Sequence, residues 1–293
     1  MISTKSNFKT ASEAFDYFYI KIKDKGVDFD NTKALFNVGF YIHNPSDKQI
    51  KAGYRKWNQK YAAAEWAWYL SGDPRVSKLG ELHGSIPFIW ERMADQNGEV
   101  NSNYGYQWKR CDQLDNVVNL LREIPNTRQA AISIYDAKEM HKYDNDTPCT
   151  YAVQFSIVDG KLCMSVYMRS NDLWFGFCND QYCFSQLQKL VAAETDYELG
   201  SYYHFAHNLH LYNNSLASYA QGLWIMFFND DAIMKTKNWV LEYIVHNEQI
   251  NPLMGWQSSS NTLSEVKMTF DTKEDAIDYA KKNKISYIIV EPN

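Results

Sequence analysis

The feature that most constrains the fold is a β-hairpin predicted over residues 151–168. Two runs rich in β-branched and aromatic residues, YAVQFSIV and KLCMSVYM, flank the dipeptide Asp159-Gly160. This dipeptide favours a two-residue turn whose backbone twist matches that of paired antiparallel strands. A sheet that contains these two strands is therefore the starting point for any fold of this chain.

The register of this hairpin brings reactive groups together at its open end. The turn pairs Val158 with Lys161. Counting outward without a bulge then places Cys149 opposite Ser170, next to Arg169. A thiol, a guanidinium and a hydroxyl are thus expected to lie close to one another.

Size and charge narrow the classes of protein that the chain can belong to. Its 293 residues suffice for one large domain, or for a large and a small one. With 45% hydrophobic and 22% charged residues, the chain has the composition of a protein that buries a core. The formal net charge is −5 and no long run of Lys or Arg occurs, which disfavours direct binding to nucleic acid. The aromatic residues, 15% of the chain, serve either as packing material or as contacts for planar ligands.

The cysteines and the apolar segments narrow these classes further. Five cysteines, an odd number without a CxxC pair, disfavour a disulfide framework and a structural zinc site. No signal-peptide pattern is present, and no apolar stretch approaches the ~18 residues that would span a bilayer. We therefore expect a cytoplasmic protein that needs no metal.

A helix is predicted over residues 55–70, which include an Ala run and no Gly or Pro. Glu65 lies in this helix, and the residues three and four positions away are Tyr61, Ala62, Trp68 and Tyr69. If this stripe is buried, desolvation raises the pKa of the Glu65 carboxyl toward a range useful for proton transfer. If the stripe ends at Glu65, the residue is an ordinary surface glutamate. The sequence leaves both interpretations open.

The remaining periodic segments predict core elements and a second small module. Leu114, Val117, Val118 and Leu121 place an apolar stripe on a helix over Gln113–Arg122. Further along, the pattern predicts strands over Trp239–Val245, Val266–Phe270 and Ile285–Val290, an irregular polar segment over 251–262, and a helix over Lys273–Asn283 with Thr272 as its N-cap. These elements form a small β-β-α-β module, and we divide the chain into domains of residues 1–236 and 237–293.

Cys149 is a candidate nucleophile. A single cysteine is more often an inert core residue, but the predicted neighbour Arg169 is a cation that favours the reactive thiolate. A guanidinium also binds phosphate with two parallel hydrogen bonds. One end of the hairpin would then hold an attacking sulfur and a phosphate anchor, which indicates a nucleotide site.

Six motifs resemble the thymidylate synthase family in residue type and in order, over about residues 55 to 212. They are Glu65-Trp66-Ala67-Trp68-Tyr69-Leu70, Asn103-Tyr104-Gly105-Tyr106-Gln107-Trp108, Pro125-Asn126-Thr127-Arg128, Pro148-Cys149, Arg169-Ser170-Asn171-Asp172 and His210-Leu211-Tyr212. The resemblance implies an α+β fold, with a mixed sheet and flanking helices, and a homodimer. It also implies one-carbon transfer from 5,10-methylenetetrahydrofolate to a pyrimidine nucleoside monophosphate.

Within that family, the chain is most similar to the deoxycytidylate hydroxymethylases of T-even-type phages. The segments that carry this similarity are Met168–Asp172, Phe175–Phe177, Asn179-Asp180 and Asn101–Gly105. The similarity implies a role in phage DNA modification, in the cytoplasm of an infected host cell.

Asp180 stands where thymidylate synthases carry an asparagine that pairs with uracil. Cytosine presents an amino group and a bare N3, so its partner must accept one hydrogen bond and donate another. A protonated aspartic acid does both, provided that burial keeps its proton on. Asp180 therefore favours cytosine as the base.

The resemblance also implies roles for the other residues of the site. Cys149 adds to C6 of the pyrimidine, and Glu65 orders a water molecule and assists proton transfers. The residues implied to bind the nucleotide are Arg128, which reaches the partner's phosphate across a homodimer, and Arg169, Ser170, Asn179, His210, Tyr212 and Tyr104. Asp172 and Trp90 are implied to contact the folate.

The last part of the chain resembles a different family, the accessory Fe–S-protein-4 subunit of respiratory complex I. The motifs are Trp239–Glu242, Asn251–Trp256 with Ser258-Ser259, Phe270–Ala276 and Ala280–Asn283 with Tyr287. This segment contains no cysteine, so thiolate ligation of an iron–sulfur cluster is excluded. We expect an interaction or stabilising module for a protein partner.

Two alternatives to a deoxycytidylate hydroxymethylase remain open. The enzymatic one is a hydroxymethylase of dUMP or CMP, or a thymidylate synthase that reduces the transferred group to methyl. The other is a nucleotide-binding scaffold without activity. Retention of Glu65, Cys149 and Asp180 together favours an enzyme.

Overall fold

The computed structural model describes residues 4–143, 145–213, 223–229, 238–243, 267–270, 272–282 and 286–290. Its contacts divide the chain into two units, Met1–Tyr212 and Asn213–Asn293, which we describe separately. None of the helices in the described ranges is long and apolar enough to cross a membrane.

The first unit mixes strands and helices along the chain. Its strands are β1 (Asn7–Phe8), β2 (Val27–Phe29), β3 (Thr32–Ile42), β4 (Ala131–Ser133), β5 (Thr150–Val158), β6 (Lys161–Met168), β7 (Asn171–Asp172) and β8 (Glu198–Tyr212). Its helices are α1 (Ala11–Lys25), α2 (Gln59–Ser71), α3 (Val76–His83), α4 (Phe88–Met93), α5 (Tyr104–Lys109), α6 (Gln113–Glu123) and α7 (Cys178–Thr195).

One mixed sheet organises this unit. Its strands run in the order β1-β3-β8-β6-β5-β4, with β2 added to β3 and β7 added to β8. β3 and β8 form a long antiparallel pair, whereas β6 and β7 both run parallel to β8. The expected α+β fold, a mixed sheet with flanking helices, is confirmed.

The core lies between the sheet and the helices α1 and α7, which contact β3 and β8. Side chains alternate along β8, so that Tyr202, His204 and Ala206 are buried while Tyr203 and Phe205 are half-exposed. The buried face therefore carries a histidine and a tyrosine hydroxyl into an otherwise apolar core.

The predicted hairpin is confirmed, but its register shifts near the open end. Val158 pairs with Lys161 as expected, whereas Thr150 pairs with Met168 because a bulge lies between Thr150 and Ala152. A bulge inserts one extra residue into one strand and moves every later pair by one position. The prediction that Cys149 lies opposite Ser170 is therefore wrong, and Cys149 lies opposite Arg169.

The helix predicted over 55–70 begins four residues later, at Gln59. The Asn58 side chain caps it by accepting hydrogen bonds from the backbone N–H groups of Lys60 and Tyr61. The helix ends at Ser71, before Gly72 in the left-handed conformation. The predicted helix over Gln113–Arg122 is confirmed and runs one residue further, to Glu123.

Helix α2 lies very close to α5, and a glycine makes this possible. A Cβ added at Gly105 would lie 1.7 Å from the backbone oxygen of Tyr69. No side chain fits there, so the contact brings Glu65 of α2 and Tyr104 of α5 toward the same region of the unit.

The second unit has its own sheet, in the order β11-β10-β9-β12. Its elements are β9 (Leu223–Asn229), β10 (Asn238–Tyr243), β11 (Lys267–Phe270), α8 (Lys273–Lys282) and β12 (Ser286–Val290). The predicted strands and helix are confirmed within the described ranges, and the Thr272 hydroxyl caps α8 by accepting from the Asp275 N–H. The predicted irregular segment, and the motifs Asn251–Trp256 and Ser258-Ser259, lie outside the described residues.

The strand β9 lies before residue 237, where the second domain is predicted to begin, but it belongs to the sheet of the second unit. It pairs with both β10 and β12, although it precedes the predicted boundary. The sheet of the predicted β-β-α-β module therefore contains a fourth strand. This strand, β9, lies between β10 and β12 and pairs with both of them.

Candidate active site

The site is built at the open end of the β5–β6 hairpin, where Cys149 and Arg169 meet. The backbone N–H of Arg169 donates to the Cys149 oxygen at 2.8 Å, and its guanidinium nitrogen Nη2 lies 3.9 Å from Sγ. The same guanidinium donates to the backbone oxygens of Thr147 and Pro148. These bonds orient an exposed cation beside the thiol.

The surroundings of Cys149 keep its sulfur protonated. Burial raises the pKa of the thiol to about 12, and Arg169 opposes this while the carboxyls of Asp180, Asp146 and Asp172 add to it. Arg169 thus acts in the expected direction, toward the thiolate, but burial has the larger effect on the pKa. Desolvation outweighs one exposed cation, so the sulfur must lose its proton as it attacks.

Glu65 is buried on α2, with 5% of its surface exposed. The Tyr69 hydroxyl donates to Oε1 at 3.2 Å, while Oε2 has no hydrogen-bond partner among the described residues. Burial, followed by the nearby Asp180 carboxyl, raises the pKa of Glu65 to about 8. The prediction of a buried carboxyl with a raised pKa is confirmed.

Asp180 lies in the first turn of α7, close to Cys149 and Glu65. The Asn171 side-chain amide donates to Asp180 Oδ2 at 2.8 Å. Burial raises the pKa of the Asp180 carboxyl to about 7, although the Asn171 hydrogen bond works in the opposite direction. A neutral carboxyl is thus accessible near neutral pH, as the interpretation of this position requires.

Asp172 caps the π-helical turn at Leu173–Phe177. Its carboxylate accepts from the N–H groups of Trp174 and Phe175. Burial raises the pKa of Asp172 to about 6 despite these bonds. Arg55 holds the same turn, because its Nε donates to the Trp174 oxygen at 2.6 Å.

Two aromatic residues predicted for the site, Tyr104 and Trp90, lie near these carboxyls. The Tyr104 hydroxyl accepts from the Thr150 N–H at 3.3 Å, and the charges of Asp180 and Cys149 contribute to its raised pKa. The Trp90 indole donates to the Tyr61 hydroxyl at 2.7 Å. Trp90 thereby joins the edge of the cluster nearest Glu65.

His210 and Tyr212 stand at the end of β8, on the Arg169 side of the cluster. Their rings meet edge to face at 5.1 Å, and His210 Nδ1 lies 3.0 Å from the Asn208 side-chain oxygen. Burial lowers the pKa of His210, and Arg169 lowers it further. The imidazole is therefore kept neutral and available as a hydrogen-bonding group.

Three predicted residues are less closely tied to the cluster. Arg128 is exposed on the loop before β4, and its backbone oxygen accepts from Gln154; no contact among the described residues links it to Cys149. The oxygen of the Asn179 side chain already accepts from the Trp57 indole at 2.9 Å. Ser170 is half-buried immediately after Arg169.

The sequence analysis does not identify the residues that are hydrogen-bonded in series to Asp180. Asn171 appears there only as part of a motif, and His204 and Tyr202 are not named. His204 Nε2 lies 3.1 Å from the Asn171 oxygen, and the Tyr202 hydroxyl lies 2.8 Å from His204 Nδ1. The signal was available, because alternation along β8 places His204 on the same face as His210.

The cluster combines a thiol with two carboxyls that can each hold or release a proton near neutral pH. A cation and a neutral imidazole lie at one end of it. Such a set suits attack by sulfur on an electron-poor ring carbon, with proton transfer by the carboxyls and anion binding by the guanidinium.

Comparison with known families gives two matches, which cover different parts of the chain. A family model described as thymidylate synthase matches residues 28–225. A second, described as NADH dehydrogenase ubiquinone Fe-S protein 4, matches residues 229–293. The first covers most of the chain and all the residues of the cluster.

Replacing Glu65 with Gln should change how stability depends on pH. The folded chain binds a proton at Glu65 with a pKa of about 8, well above the value of an unfolded glutamate. Stability from this group is present at low pH and is lost as the pH rises toward 8, by up to roughly 1.4 kcal/mol per pH unit. In urea denaturation between pH 5 and pH 8, Glu65→Gln should flatten this decline. Glu123→Gln, at an exposed position on α6, should leave the decline unchanged. Equal slopes of unfolding free energy against pH for all three proteins would contradict a raised pKa for Glu65.

Proposed function

Because the chain belongs to the thymidylate synthase family, we propose that it is a deoxycytidylate hydroxymethyltransferase. The family performs folate-dependent one-carbon transfer to a pyrimidine nucleotide. The finer proposal is that the acceptor is dCMP and that the product is 5-hydroxymethyl-dCMP. The observation that carries it is the Asp180 carboxyl, whose pKa of about 7 lets it act as a neutral acid beside Cys149.

A neutral Asp180 matches the hydrogen-bonding edge of cytosine. Its O–H donates to the bare N3, and its other oxygen accepts from the N4 amino group. Uracil presents the reverse arrangement, an N–H at N3 and a carbonyl at C4, which a neutral carboxyl matches only if its proton lies on its other oxygen. A site built to hydrogen-bond one base rejects the other, because buried polar groups are then left unpaired.

In the proposed reaction, Cys149 forms the first bond. Its sulfur adds to C6 of the cytosine while its proton passes to an ionised carboxylate of the cluster, and C5 becomes a carbon nucleophile. Asp180 favours this step by holding N3, which receives electron density from the ring. Arg169 binds the phosphate and fixes the nucleotide over the sulfur.

Methylenetetrahydrofolate, bound as the second substrate, supplies the one-carbon unit to C5. The unpartnered Glu65 Oε2 and the raised pKa of Asp172 fit polar groups of a ligand at this edge of the cluster. Asp172 and the Trp90 ring are proposed to hold the pterin. His210 and Tyr212 are proposed to bind the sugar hydroxyl, with Tyr104, Ser170 and Asn179 completing the nucleotide site.

Glu65 completes the conversion. Loss of the C5 proton breaks the bond to the folate nitrogen, so tetrahydrofolate leaves and an exocyclic methylene remains on the base, and Glu65 would orient the water that adds to it. With a pKa of about 8, this carboxyl can accept a proton from the water and return one later. Release of Cys149 from C6 then restores the aromatic ring and yields the hydroxymethyl product.

A homodimer is part of the proposal, and the outer face of the first-unit sheet supports it. A row of aromatic side chains crosses this face: Tyr41, Tyr203, Phe205, Tyr167 and Tyr151. Tyr41 is 43% exposed, and the others are half-buried. A second copy would cover this row, and the exposed Arg128 is then free to reach the partner's phosphate.

The second unit is proposed as a docking module for another protein. Its similarity to the accessory subunit family and its separate sheet support this role.

Product mass tests the reaction directly. Incubation with methylenetetrahydrofolate should add CH₂O to dCMP, whereas CMP and dUMP should react much more slowly. Cys149→Ser should lower kcat by roughly a thousandfold or more, because the hydroxyl is the weaker nucleophile. Cys163→Ser, a half-buried cysteine on β6, should retain activity. Addition of CH₂ to dUMP would instead identify a thymidylate synthase, and no product from any nucleotide would indicate a scaffold.

Replacing Asp180 with Asn should exchange the preferred base. The amide reverses one donor and one acceptor, so the ratio of kcat/KM for dCMP to that for dUMP should fall by about a hundredfold or more. Steady-state kinetics with both nucleotides measure the ratio. The control is Asp115→Asn, an exposed aspartate on α6, and an unchanged ratio in Asp180→Asn would refute the pairing with cytosine.

Sedimentation velocity tests the dimer. The full chain should sediment with twice its mass of 34.2 kDa, and Phe205→Lys should raise the dissociation constant at least about tenfold by placing a charge in the interface core. Leu82→Lys, at an exposed apolar residue away from this sheet face, should not. A single-chain mass at all concentrations would exclude the homodimer.

A further inference from the structure

A buried chain of hydrogen bonds ends on Asp180. The Tyr202 hydroxyl lies 2.8 Å from His204 Nδ1, and His204 Nε2 lies 3.1 Å from the Asn171 oxygen. The Asn171 amide nitrogen then lies 2.8 Å from Asp180 Oδ2. Tyr202 and His204 are fully buried and Asn171 is 2% exposed, so water does not substitute for any link.

The Asn171 amide sets the direction of every link, because its NH₂ faces Asp180 and its oxygen faces His204. An ionised Asp180 allows only this arrangement, since a carboxylate accepts hydrogen bonds and does not donate them. The Asn171 oxygen therefore faces His204, whose Nε2 must carry a hydrogen. With Nε2–H as the donor, a neutral His204 has a bare Nδ1, which accepts from the Tyr202 hydroxyl.

The surroundings of His204 keep it neutral, as this direction requires. Its ring packs against Phe40 and Phe177, with centroid distances of 5.3 and 5.2 Å. Burial lowers the pKa of His204 to about 3. An imidazole that stays neutral has one donor and one acceptor, so it can transmit a direction along the chain of bonds.

Gly176 leaves the space in which the last link forms. A Cβ added there would lie 3.0 Å from Asn171 Nδ2 and 3.2 Å from Asp180 Oδ2. Any side chain would therefore press on the two atoms that share the hydrogen bond. The close fit holds Asn171 and Asp180 in one arrangement.

We propose that Tyr202, His204 and Asn171 form a positioning relay that decides which oxygen of the Asp180 carboxyl carries the proton. Because Asn171 donates to Oδ2, Oδ2 remains an acceptor and the proton resides on Oδ1. This inference rests on the proposed function in one respect: a carboxyl with Oδ1–H and an accepting Oδ2 offers the donor and the acceptor that cytosine needs. Oδ2 has two lone pairs, so it accepts from Asn171 and from the base together.

The opposite orientation of the relay would remove this match. If Asn171 presented its oxygen to Asp180, the neutral carboxyl would donate its only O–H to that oxygen. Both carboxyl oxygens would then face cytosine as acceptors, and N3 would meet a lone pair. Among the described residues, no hydrogen bond joins the relay to the Cys149 sulfur, and the bond from Asn171 to Asp180 connects it to the site.

Other ionisable groups around Asp180 act on its charge but not on the position of its proton. Asp172 raises the pKa of Asp180, and Asp180 in turn raises the pKa values of Glu65, Cys149 and Tyr104. These couplings change how readily the proton binds. Within the part of the chain that the structure describes, the directed bond from Asn171 is the hydrogen bond that distinguishes Oδ2 from Oδ1.

The first test uses the unaltered full chain. Nitrogen-15 NMR of labelled histidine should show His204 with hydrogen on Nε2, a bare Nδ1, and no titration between pH 5 and pH 9. The resonance is assigned by its absence from His204→Gln. A hydrogen on Nδ1, or titration in this range, would overturn the relay. This result does not depend on substrate.

The second test changes the relay and reads the carboxyl. Infrared difference spectroscopy, with the band assigned by Asp180→Asn, follows the Asp180 carboxyl as the pH changes. His204→Phe should move its midpoint upward, since Asn171 is no longer held as a donor to the ionised form. His204→Gln keeps a donor toward Asn171 and should restore the midpoint. A downward shift or no shift in His204→Phe would refute the relay, because lost packing that admits water lowers the pKa.

Kinetics separate the relay from the proposed function. His204→Phe should lower kcat/KM for dCMP roughly tenfold to a hundredfold, and His204→Gln should recover most of it. The control His141→Phe, at an exposed position on the helical turn Met140–Lys142, should match the unaltered chain. If the unaltered chain does not convert dCMP, the proposed function fails while the NMR and infrared results still decide the relay.

Discussion

The hydrogen bond from the Asn171 amide to the Asp180 carboxyl is the interaction on which the arrangement of the site depends. It joins the short strand β7 to the first turn of α7, and it holds close to Cys149 a carboxyl that forms no ion pair with any described residue. Such a carboxyl avoids the cost of a buried charge by binding a proton. The bond thus links the geometry of the sheet to the protonation state that the proposed chemistry needs.

Desolvation dominates the electrostatics of this site. It raises the pKa of Glu65, Asp180 and Cys149 together and lowers that of His204. Each of these groups is therefore neutral or nearly so, and the single exposed guanidinium of Arg169 does not reverse the effect. Neutral groups with defined donors and acceptors suit recognition of an uncharged base, whereas the cation lies at the end where a phosphate would bind.

Local sequence patterns predicted much of the fold, but they predicted only part of the candidate site. The Asp159-Gly160 turn predicted the hairpin, and the apolar stripe around Glu65 predicted its burial, because turn chemistry and helical periodicity act over a few residues. The bulge near Thr150 was not predictable, since it depends on how β5 and β6 fit the rest of the sheet. One residue of shift moved Cys149 from Ser170 to Arg169.

The sequence by itself determined the family, the hairpin and the identities of the sulfur and the carboxyls. These are properties of residue type and spacing, which the chain carries before it folds. Only the tertiary structure decided that burial raises the pKa of Cys149 and that His204 and Tyr202 reach Asp180 through Asn171. Those outcomes depend on how much water each group loses and on which atoms from distant strands meet, and both are set when the sheet and α7 pack together.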